Sequence, residues 1–429
     1  MSRTFVIAGA SLAGATAAIT LRQEGFDGEI LLAGAERFPP YERPALSKQY
    51  LRGEIPFDKL LVRPPGFYDE HRITALFGTR IARVRPGDRT VEFQDGGRVR
   101  YDRLLVATGA RNRRPRVPGM HLPGVFSLRT VPDAEAIRRE AAPGRRAIVG
   151  GMGFIGCEVA ASLRAMGVEV AAVDTSPAPL FRVLGREVSE IVASIHRDHG
   201  VQAFFEEGVA AFEGDERVRG VVTTGGRRIE CDFAVVGVGV EPELDLLAGS
   251  GLDIDDGLVV DAYCRSASPD LYAAGDVASQ YHPLSGGRFR VEHWQNAMQQ
   301  GAAAARNMLG REQPYDPVHW FWSDQYDCNL QFAGRRHGSD RLVVRGSLER
   351  RDFLGFYVRE ERVDAIVALN RGKELRRAMP LVRSRQPVDA RRLQDEAVDV
   401  RSLVREGARV STGAGEQEST QERESKGPW

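Results

Sequence analysis

The sequence predicts an α/β protein with two Rossmann-like nucleotide-binding domains and a smaller C-terminal α+β domain. Two stretches, beginning near residues 3 and 145, each read as a strand, a glycine-rich turn, a helix and a second strand that ends near an acidic residue. Residues 318 to 400 form a third, strand-rich stretch followed by a basic helical segment. A length of 429 residues is enough for two or three domains of ordinary size.

The first unit opens the chain. Residues 3 to 9 (RTFVIAG) are a β-branched run, and residues 12 to 24 read as a helix of small and apolar residues. The turn between them carries the dinucleotide fingerprint with serine in place of the middle glycine: Gly9, Ser11 and Gly14. The helix N-terminus offers unpaired N–H groups to a pyrophosphate, and Glu36 is placed to accept hydrogen bonds from ribose hydroxyls. The alternative is an ordinary βαβ unit whose glycines serve packing alone.

A proline-rich loop, residues 37 to 51 (RFPPYERPALSKQYL), follows this unit and contains Arg43 and Lys48. The chain has four lysines among its 59 Lys and Arg residues. A lysine in so arginine-rich a chain indicates a place where a compact, titratable ammonium is wanted. A solvated surface lysine is the alternative interpretation.

Two further stretches each read as a strand, and the first of them reads as a buried strand that ends in small residues. Residues 101 to 109 (YDRLLVATG) end in Ala107, Thr108 and Gly109, and residues 268 to 278 (SPDLYAAGDVA) contain Gly275 and Asp276. Asp276 follows a strand and precedes a helix start, where its carboxylate can bind ligand hydroxyls or order waters on a pyrophosphate. An N-cap aspartate is the alternative, and the two roles can coexist.

The second unit has a complete fingerprint. Residues 145 to 150 (RRAIVG) form a strand, residues 154 to 166 a helix, and the turn between them carries Gly151, Gly153 and Gly156. The next strand ends in Asp174, close to the expected ribose contact. Thr175 and Ser176 follow, with no arginine that could hold a 2′-phosphate, so we expect NADH to be preferred over NADPH.

Composition excludes several classes of function. The chain has 59 basic and 59 acidic residues, so its formal charge gives no bias towards nucleic acid or an acidic membrane. The four cysteines are far apart and form no CxxC or metal spacing: Cys157, Cys231, Cys264 and Cys328. We therefore expect no metal site, and in the absence of a signal-type cleavage segment we expect a cytoplasmic protein.

Several motifs together resemble a known family. The stretches YERPALSK, VATGA, GGMGFIGCE, YAAGDVA, VEHWQNA and HWFWSDQ are similar to those of the FAD-dependent NADH:ferredoxin reductases that serve bacterial oxygenases, which are glutathione-reductase-like flavoproteins. The resemblance implies an FAD domain (residues 1 to 113 and 246 to 317) interrupted by an NADH domain (114 to 245), and a C-terminal reductase domain (318 to 405). Residues 406 to 429 have almost no apolar content, and we expect a disordered tail.

The resemblance also implies site residues. Residues implied to contact FAD are Gly9, Ser11, Gly14, Glu36, Arg43, Lys48, Ala107, Thr108, Gly109, Arg129, Gly275, Asp276, Trp294 and Trp320. Residues implied to lie along NADH are Gly151, Gly153, Phe154, Ile155, Gly156, Glu158, Asp174, Arg182 and Gly239. Lys48 and Glu158 are implied to pair beside the isoalloxazine ring and to take part in catalysis.

The implied reaction is hydride transfer from NADH to FAD, followed by two one-electron steps to an acidic two-iron ferredoxin. Residues 37 to 51 contain no cysteine, so electrons must leave the flavin directly for an external acceptor. Rubredoxin reductases and monodehydroascorbate reductases share most of these motifs and stay as alternatives. A nucleotide-sensing flavoprotein like apoptosis-inducing factor, which acts by interaction, is the alternative from another class. The sequence leaves open a monomer or a homodimer, the particular ferredoxin and the terminal oxygenase.

A basic segment follows the last predicted strands. From Arg371 to Arg392 there are eight Lys or Arg residues against two acids, a net charge of +6. Because ferredoxins are usually acidic, this segment could raise the rate of encounter in a salt-dependent way. A solvated helix face is the alternative.

Overall fold

The computed structural model describes residues 3 to 404 of the chain. The chain divides into two compact units, with the boundary between Asp327 and Cys328. The predicted disordered tail lies outside the described residues.

The first unit contains the two predicted nucleotide-binding parts. Its strands are β1 (Thr4–Ala8), β2 (Glu29–Gly34), β3 (Ile73–Phe77), β4 (Ile81–Arg85), β5 (Thr90–Phe93), β6 (Arg98–Arg100), β7 (Arg103–Val106), β8 (Ala110–Asn112), β9 (Val125–Phe126), β10 (Arg146–Gly150), β11 (Glu169–Asp174), β12 (Gln202–Phe205), β13 (Val209–Glu213), β14 (Gly220–Thr223), β15 (Arg228–Glu230), β16 (Phe233–Val236), β17 (Val240–Pro242), β18 (Leu258–Val260), β19 (Leu271–Ala273), β20 (Ala278–His282), β21 (Gly287–Phe289) and β22 (Trp320–Gln325). Its α-helices are α1 (Leu12–Gln23), α2 (Phe67–Glu70), α3 (Val131–Glu140), α4 (Phe154–Ala165), α5 (Phe181–Asp198) and α6 (Trp294–Met308). Short 3-10 helices lie at Arg43–Ser47, Phe57–Leu60, Asp245–Leu247 and Pro283–Ser285.

The first sheet is five-stranded and parallel, in the order β19-β7-β1-β2-β3. Val6 of β1 lies opposite Leu31 on one side and Leu104 on the other. These strands are near-continuous apolar runs because both faces of the sheet are covered. One face packs against α1 and α6, and the other packs against apolar residues of β4 and β5 such as Val84 and Val91. Helix α1 is rich in alanine, and the small side chains let α6 approach closely: a Cβ built on Gly301 would lie 2.4 Å from the Ala13 carbonyl oxygen.

The second sheet repeats this design in the order β12-β11-β10-β16-β9, again with parallel strands. Ile148 of β10 lies opposite Ala171 and Ala234. In both parts the carboxyl end of the first strand leads into a glycine-rich turn, where ligands of open α/β sheets bind.

Each parallel sheet is followed by a small antiparallel sheet, β4-β5-β6 in the first part and β13-β14-β15 in the second. The chain passes between the two parts along the antiparallel pair of β8 and β17. This pair lies beside the predicted domain boundaries at residues 113 and 245 and supports them, although the exact division stays a prediction.

The second unit has an antiparallel sheet. Its strands are β23 (Cys328–Gly334), β24 (Arg341–Ser347), β25 (Asp352–Arg359) and β26 (Arg362–Leu369), and its helices are α7 (Gly372–Ser384) and α8 (Ala390–Gln394). The strand order is β23-β26-β25-β24, with Phe353, Phe356 and Ile366 fully buried. The predicted α/β class with a C-terminal α+β domain is therefore confirmed. No helix within residues 3 to 404 is long and apolar enough to cross a membrane.

Candidate functional site

The glycines at the two ends of the first fingerprint are explained by packing. Gly9 follows β1 with a φ of +122°, and a Cβ there would lie 2.1 Å from the Ala107 carbonyl oxygen. A Cβ on Gly14 would lie 1.9 Å from the Gly9 carbonyl oxygen, because α1 begins directly against the turn. Larger residues are excluded at both positions whether or not a nucleotide is bound.

The middle position of the second fingerprint is different. Cβ atoms built on Gly151 and Gly156 would overlap carbonyl oxygens at 2.5 and 1.8 Å, as in the first turn. A Cβ on Gly153 would meet no other protein atom within 4 Å, so packing does not require glycine there. Gly153 caps α4, and Ser11 caps α1 without a side-chain hydrogen bond to the helix. Both helix ends therefore present N–H groups to open space, as a pyrophosphate site needs.

A cavity of about 1080 Å³ runs from the first turn to the second part of the unit. The predicted site residues that line it are Gly9, Ser11, Glu36, Arg43, Lys48, Ala107, Thr108, Gly109, Arg129, Phe154, Ile155, Glu158, Gly275, Asp276 and Trp294. The structure thus brings together most of the residues predicted to contact FAD and three of those predicted to lie along NADH.

The remaining predicted residues do not line this cavity: Gly14, Gly151, Gly153, Gly156, Asp174, Arg182, Gly239 and Trp320. Arg182 is exposed in the first turn of α5. Trp320 stacks on Trp322, with ring centroids 5.5 Å apart, and it is Trp322 that lines the cavity. Trp320 and Trp322 are two residues apart on β22 and so share one face of the strand, but of these two only Trp322 lines the cavity.

Two side chains hold the acid of the first nucleotide-binding part, Glu36. The Glu36 carboxylate accepts hydrogen bonds from Arg43 Nη2 at 2.5 Å and from the Tyr41 hydroxyl at 2.6 Å. One bond goes to each carboxylate oxygen, and each oxygen keeps capacity for a further donor such as a ribose hydroxyl.

Backbone groups hold the acid of the second nucleotide-binding part, Asp174. The Asp174 carboxylate accepts from the Met152 N–H at 2.5 Å and from the Ser176 N–H at 2.6 Å. Met152 lies in the glycine-rich turn itself, so the turn and the acid are fixed relative to each other before any ligand binds.

Arg129 links three segments around the first site. Its Nη2 donates to Asp276 at 2.8 Å, and its backbone carbonyl accepts from Arg43 Nη1 at 2.5 Å. These bonds hold the turn at Gly275 and Asp276 and the loop after β2 against the same cavity.

The buried ion pair of Lys48 and Glu158 joins the two parts. Their side chains are 7% and 4% exposed, and Lys48 Nζ lies 2.8 Å from Glu158 Oε2. The same oxygen accepts from Ser47 Oγ at 2.5 Å, and Oε1 accepts from Ser323 Oγ at 2.7 Å. A buried pair of charges persists only when its partners are satisfied in this way, so its position at the cavity points to function.

Three buried polar atoms around the cavity have no partner within the described part of the chain: Arg129 Nε, His293 Nδ1 and Trp294 Nε1. Unpaired buried groups are costly in a folded protein. Burial lowers the pKa of His293 to about 4, so its ring is neutral at physiological pH and offers one donor and one acceptor. A ligand rich in hydrogen-bonding groups, such as FAD, fits these atoms.

The second part of the cavity carries exposed apolar side chains beside charged ones. Ile155 and Val238, both of which line it, are 43% and 45% exposed. Large apolar side chains with this exposure at the mouth of a cleft indicate a surface that a ligand covers when it binds.

Sequence reasoning missed several residues that shape the site: Tyr41, Ser47, His293, Trp322 and Ser323. Ser47 is the immediate neighbour of Lys48, and Trp322 and Ser323 lie within the HWFWSDQ stretch. Their roles depend on which face each side chain takes, and that became visible only in three dimensions. Within residues 3 to 404 no group of three His, Cys, Asp or Glu side chains is arranged to hold a metal ion.

Family models match most of the chain. A model described as pyridine nucleotide-disulphide oxidoreductase matches residues 3–301, and one described as reductase C-terminal matches residues 320–404.

Curated relatives extend this match over nearly the whole chain. Rhodocoxin reductase of Rhodococcus erythropolis is 38% identical over 402 residues, which cover 94% of both chains. A 5,5′-dehydrodivanillate O-demethylase ferredoxin reductase subunit of a Sphingobium species is 39% identical over 93% of this chain and 98% of its own. Putidaredoxin reductase of Pseudomonas putida is 34% identical, over 93% and 96%.

Solved structures agree with these relatives. The chain superposes on putidaredoxin reductase from a covalent complex with putidaredoxin with a TM-score of 0.91 at 34% identity, covering 95% of this chain and 99% of that one. The predicted resemblance, the oxidoreductase class and the cofactors FAD and NADH are therefore confirmed. This chain belongs to the pyridine nucleotide-disulphide oxidoreductase family and, within it, to the ferredoxin reductases whose motifs it carries.

Proposed function

We propose that this enzyme oxidises NADH and passes the electrons one at a time, through FAD, to a two-iron ferredoxin that serves an oxygenase. One observation carries the proposal: the buried pair of Lys48 and Glu158 lies on the cavity shared by the two nucleotide-binding parts. When bound, FAD supplies the conversion of a hydride into single electrons, which amino-acid side chains cannot perform.

Protein side chains supply charge and position. The Lys48 ammonium would balance the negative charge that builds up beside it when the cofactor is reduced. Glu158 holds that ammonium by an ion pair at 2.8 Å and fixes its direction. Phe154 and Ile155, at the start of α4, would lie along the nicotinamide end of NADH.

Thiol chemistry has no support at this site. No cysteine is among the residues that line the cavity, within the part of the chain that the structure describes. Cys157, the sequence neighbour of Glu158, is fully buried, and burial raises the pKa of its thiol well above the ordinary value. A direct path of electrons from the flavin to an external acceptor follows.

The relatives support an iron–sulfur protein as that acceptor. Three are named rhodocoxin reductase, putidaredoxin reductase and a ferredoxin reductase subunit of an O-demethylase, and a neighbouring structure is a complex with putidaredoxin. Rubredoxin, monodehydroascorbate or a sensing role would each change the acceptor and leave the FAD and NADH sites in place.

Exposed cations on α7 provide a candidate docking surface for an acidic ferredoxin: Lys373, Arg376 and Arg377. Other basic residues of this segment are engaged within the second unit. Arg371 pairs with Asp352 and Glu396, and Arg385 lies 3.3 Å from Asp364. The positive charge available to a partner is therefore smaller than the net charge of the segment. We call Lys373, Arg376 and Arg377 the α7 basic surface.

Reduction of cytochrome c by NADH, with and without a two-iron ferredoxin, tests the function. Fast cytochrome c reduction that requires the ferredoxin is the expected result. Reduction of the bound flavin by NADH with no gain from any iron–sulfur carrier would contradict the ferredoxin proposal. Slow flavin reduction and slow ferricyanide turnover would indicate a nucleotide-sensing protein instead.

Salt dependence tests the docking surface. Arg376→Ser with Arg377→Ser should lower kcat/KM for the ferredoxin several-fold at low salt and less at high salt, since exposed charges are screened. Arg98→Ser, at a 66% exposed arginine on β6, is the matched control and should have no effect. Equal losses at low and high salt would remove the α7 basic surface from docking.

Three further expectations belong to this proposal. The division into an FAD domain (1 to 113 and 246 to 317), an NADH domain (114 to 245) and a C-terminal domain (318 to 405) is supported by the two parallel sheets and by the β8 and β17 pair. Four buried free thiols support a reducing, cytoplasmic environment. A monomer or a homodimer remains our expectation, to be measured by light scattering.

A further inference from the structure

A chain of hydrogen bonds extends behind Glu158, away from the cavity. It runs from the Glu158 carboxylate through Ser323 and Gln325 of β22 to His196 of α5. We infer that these three residues act as positioning residues: their hydrogen bonds all point in one direction, towards Glu158, and fix its carboxylate beside Lys48. This inference rests on the proposed role of Lys48 and Glu158, but not on the identity of the electron acceptor.

The distances form an unbroken series. Ser323 Oγ lies 2.7 Å from Glu158 Oε1, and Gln325 Nε2 lies 3.1 Å from Ser323 Oγ. His196 Nε2 lies 3.0 Å from Gln325 Oε1, and His196 Nδ1 lies 3.1 Å from the Tyr326 hydroxyl. All of these atoms belong to the first compact unit.

Chemistry fixes the direction of each bond. An ionised carboxylate only accepts, so Ser323 must give its single hydroxyl proton to Glu158. Ser323 Oγ can then only accept from Gln325, which orients the amide with its NH₂ towards Ser323 and its oxygen towards His196. Because that oxygen is an acceptor, His196 must carry its proton on Nε2 and accept on Nδ1 from the Tyr326 hydroxyl.

Burial makes these bonds consequential. Ser323 is 0% exposed, Gln325 4% and His196 1%. Each of their side-chain polar atoms has a partner, so water is not needed to complete the network. Loss of one member would leave a buried polar group unpaired, which is costly. Strand periodicity places Ser323 and Gln325 on one face of β22. Burial lowers the pKa of His196 to about 4, which keeps its ring neutral.

This series of hydrogen bonds is not suited to carry protons. Proton movement along hydrogen bonds requires each member to accept on one side and donate on the other through the same atom or ring. The Gln325 amide donates through nitrogen and accepts through oxygen, and neither atom exchanges roles readily at neutral pH. The effect on Glu158 is therefore electrostatic and geometric: one oxygen is held by Ser323 and the other by Ser47 and Lys48.

Gln325→Glu is the sharpest test, because it keeps the size of the side chain but replaces the hydrogen-bond donor that faces Ser323 with an acceptor. The introduced carboxylate would draw the Ser323 proton away from Glu158. We expect the rate of flavin reduction by NADH in stopped flow to fall about 10-fold, the change expected from losing one hydrogen bond to a charged group. We also expect a more negative flavin midpoint potential, with the Kd of NADH changed by no more than about 2-fold.

Two comparisons keep this test interpretable. Ser323→Ala removes the donor without adding charge and should lower the reduction rate and the potential in the same direction. Gln331→Glu places a carboxylate at another buried glutamine, 7% exposed on β23, and should leave both quantities unchanged. If Ser323→Ala leaves both quantities unchanged, the inference is overturned, even if Gln325→Glu fails to fold.

The His196 tautomer gives a readout that does not depend on turnover. Nitrogen NMR of the FAD-bound protein labelled at histidine, with His196→Gln used to assign the signal, should show a neutral ring protonated on Nε2. A ring protonated on Nδ1 or charged at neutral pH would overturn the direction of the chain. Failure of NADH to reduce the flavin of the unaltered protein would instead contradict the proposed function and leave the tautomer result standing.

Discussion

The two nucleotide-binding parts of the first unit share one backbone plan. In each, the first glycine of the turn donates to the end of the neighbouring strand at 2.8 Å: Gly9 to Ala33 and Gly151 to Val173. In each, the third glycine brings the helix so close that a Cβ would lie within 2 Å of a turn carbonyl. These shared features belong to the strand, turn and helix unit and say little about which ligand is bound.

Their acids are held in different ways. Glu36 depends on the side chains of Tyr41 and Arg43, which come from the loop after β2. Asp174 is held by backbone N–H groups of the glycine-rich turn and of the residues that follow β11. The first arrangement orders a long loop around its ligand, which suits a cofactor that stays bound. The second needs no side chain from a long loop, and the cavity in this part is lined by exposed Ile155 and Val238, which suits a coenzyme that enters and leaves at each turnover.

The largest expected effect comes from filling the close contact in one part at a time. Gly14→Ala should abolish FAD retention, read from the visible flavin absorbance, because the added Cβ would overlap a backbone oxygen at 1.9 Å. Gly156→Ala has the same overlap, at 1.8 Å, but should leave the protein yellow and reducible by dithionite. The efficiency with which NADH reduces its flavin should fall at least about 100-fold, since overpacking against backbone costs roughly 3 kcal/mol.

Gly87→Ala is the control for both changes, because a Cβ there meets nothing within 4 Å and its φ is not in the left-handed region. It should retain flavin and NADH reactivity. Loss of flavin from Gly156→Ala as complete as from Gly14→Ala would show that the two parts do not bind their ligands independently.

The ion pair that joins the two parts should give the next largest effect. Lys48→Met should slow flavin reduction by NADH by about 100-fold, because it removes the cation that balances developing charge and leaves Glu158 buried without its partner. Stopped-flow absorbance measures this rate directly. Lys59→Met, at an exposed lysine, should reduce at the native rate. An unchanged rate for Lys48→Met would remove Lys48 from the mechanism.

Most of the fold could be predicted from the sequence because it follows from local patterns. The predicted helix at residues 12 to 24 is α1 (Leu12–Gln23), and the predicted strand that ends in Asp174 is β11 (Glu169–Asp174). Apolar strands and helices leave periodic patterns in the sequence, and the glycine-rich turns between them are marked by their spacing. The glycines that packing requires were visible for the same reason.

The partners of the charged groups were less predictable. That Glu36 lies against Tyr41 and Arg43, or that Ser323 reaches Glu158 from 165 positions along the chain, depends on tertiary contacts with no periodic signal. The placement of Trp320 was also not predictable from the sequence. The resemblance implied that Trp320 contacts FAD, but only the placement of β22 showed that Trp322 lines the cavity while Trp320 stacks on Trp322.

Asp174 and Glu36 should differ in their effect on the preference between NADH and NADPH. Asp174→Asn keeps one acceptor oxygen for the turn but loses the charge that repels a 2′-phosphate. We expect the preference for NADH over NADPH, measured as a ratio of kcat/KM values, to fall about 10-fold, or about 1.4 kcal/mol. Glu36→Gln should weaken FAD retention and leave this ratio unchanged. A ratio that moves equally in both variants would mean that the preference is not set at the ribose of the second part.

The smallest expected effect concerns the middle residue of each turn, where the two parts differ by a single hydroxymethyl group. Gly153→Ser copies the first turn into the second, where no protein atom lies within 4 Å of the new Cβ, so the thermal unfolding midpoint should not change. Crowding of the pyrophosphate should raise the Kd of NADH by about 3-fold. The reverse change, Ser11→Gly, should leave FAD retention unaltered, because the serine makes no side-chain hydrogen bond to α1. If Gly153→Ser instead lowered stability without changing the Kd, glycine at this position would serve the fold, and the open space beside α4 would not be the pyrophosphate site.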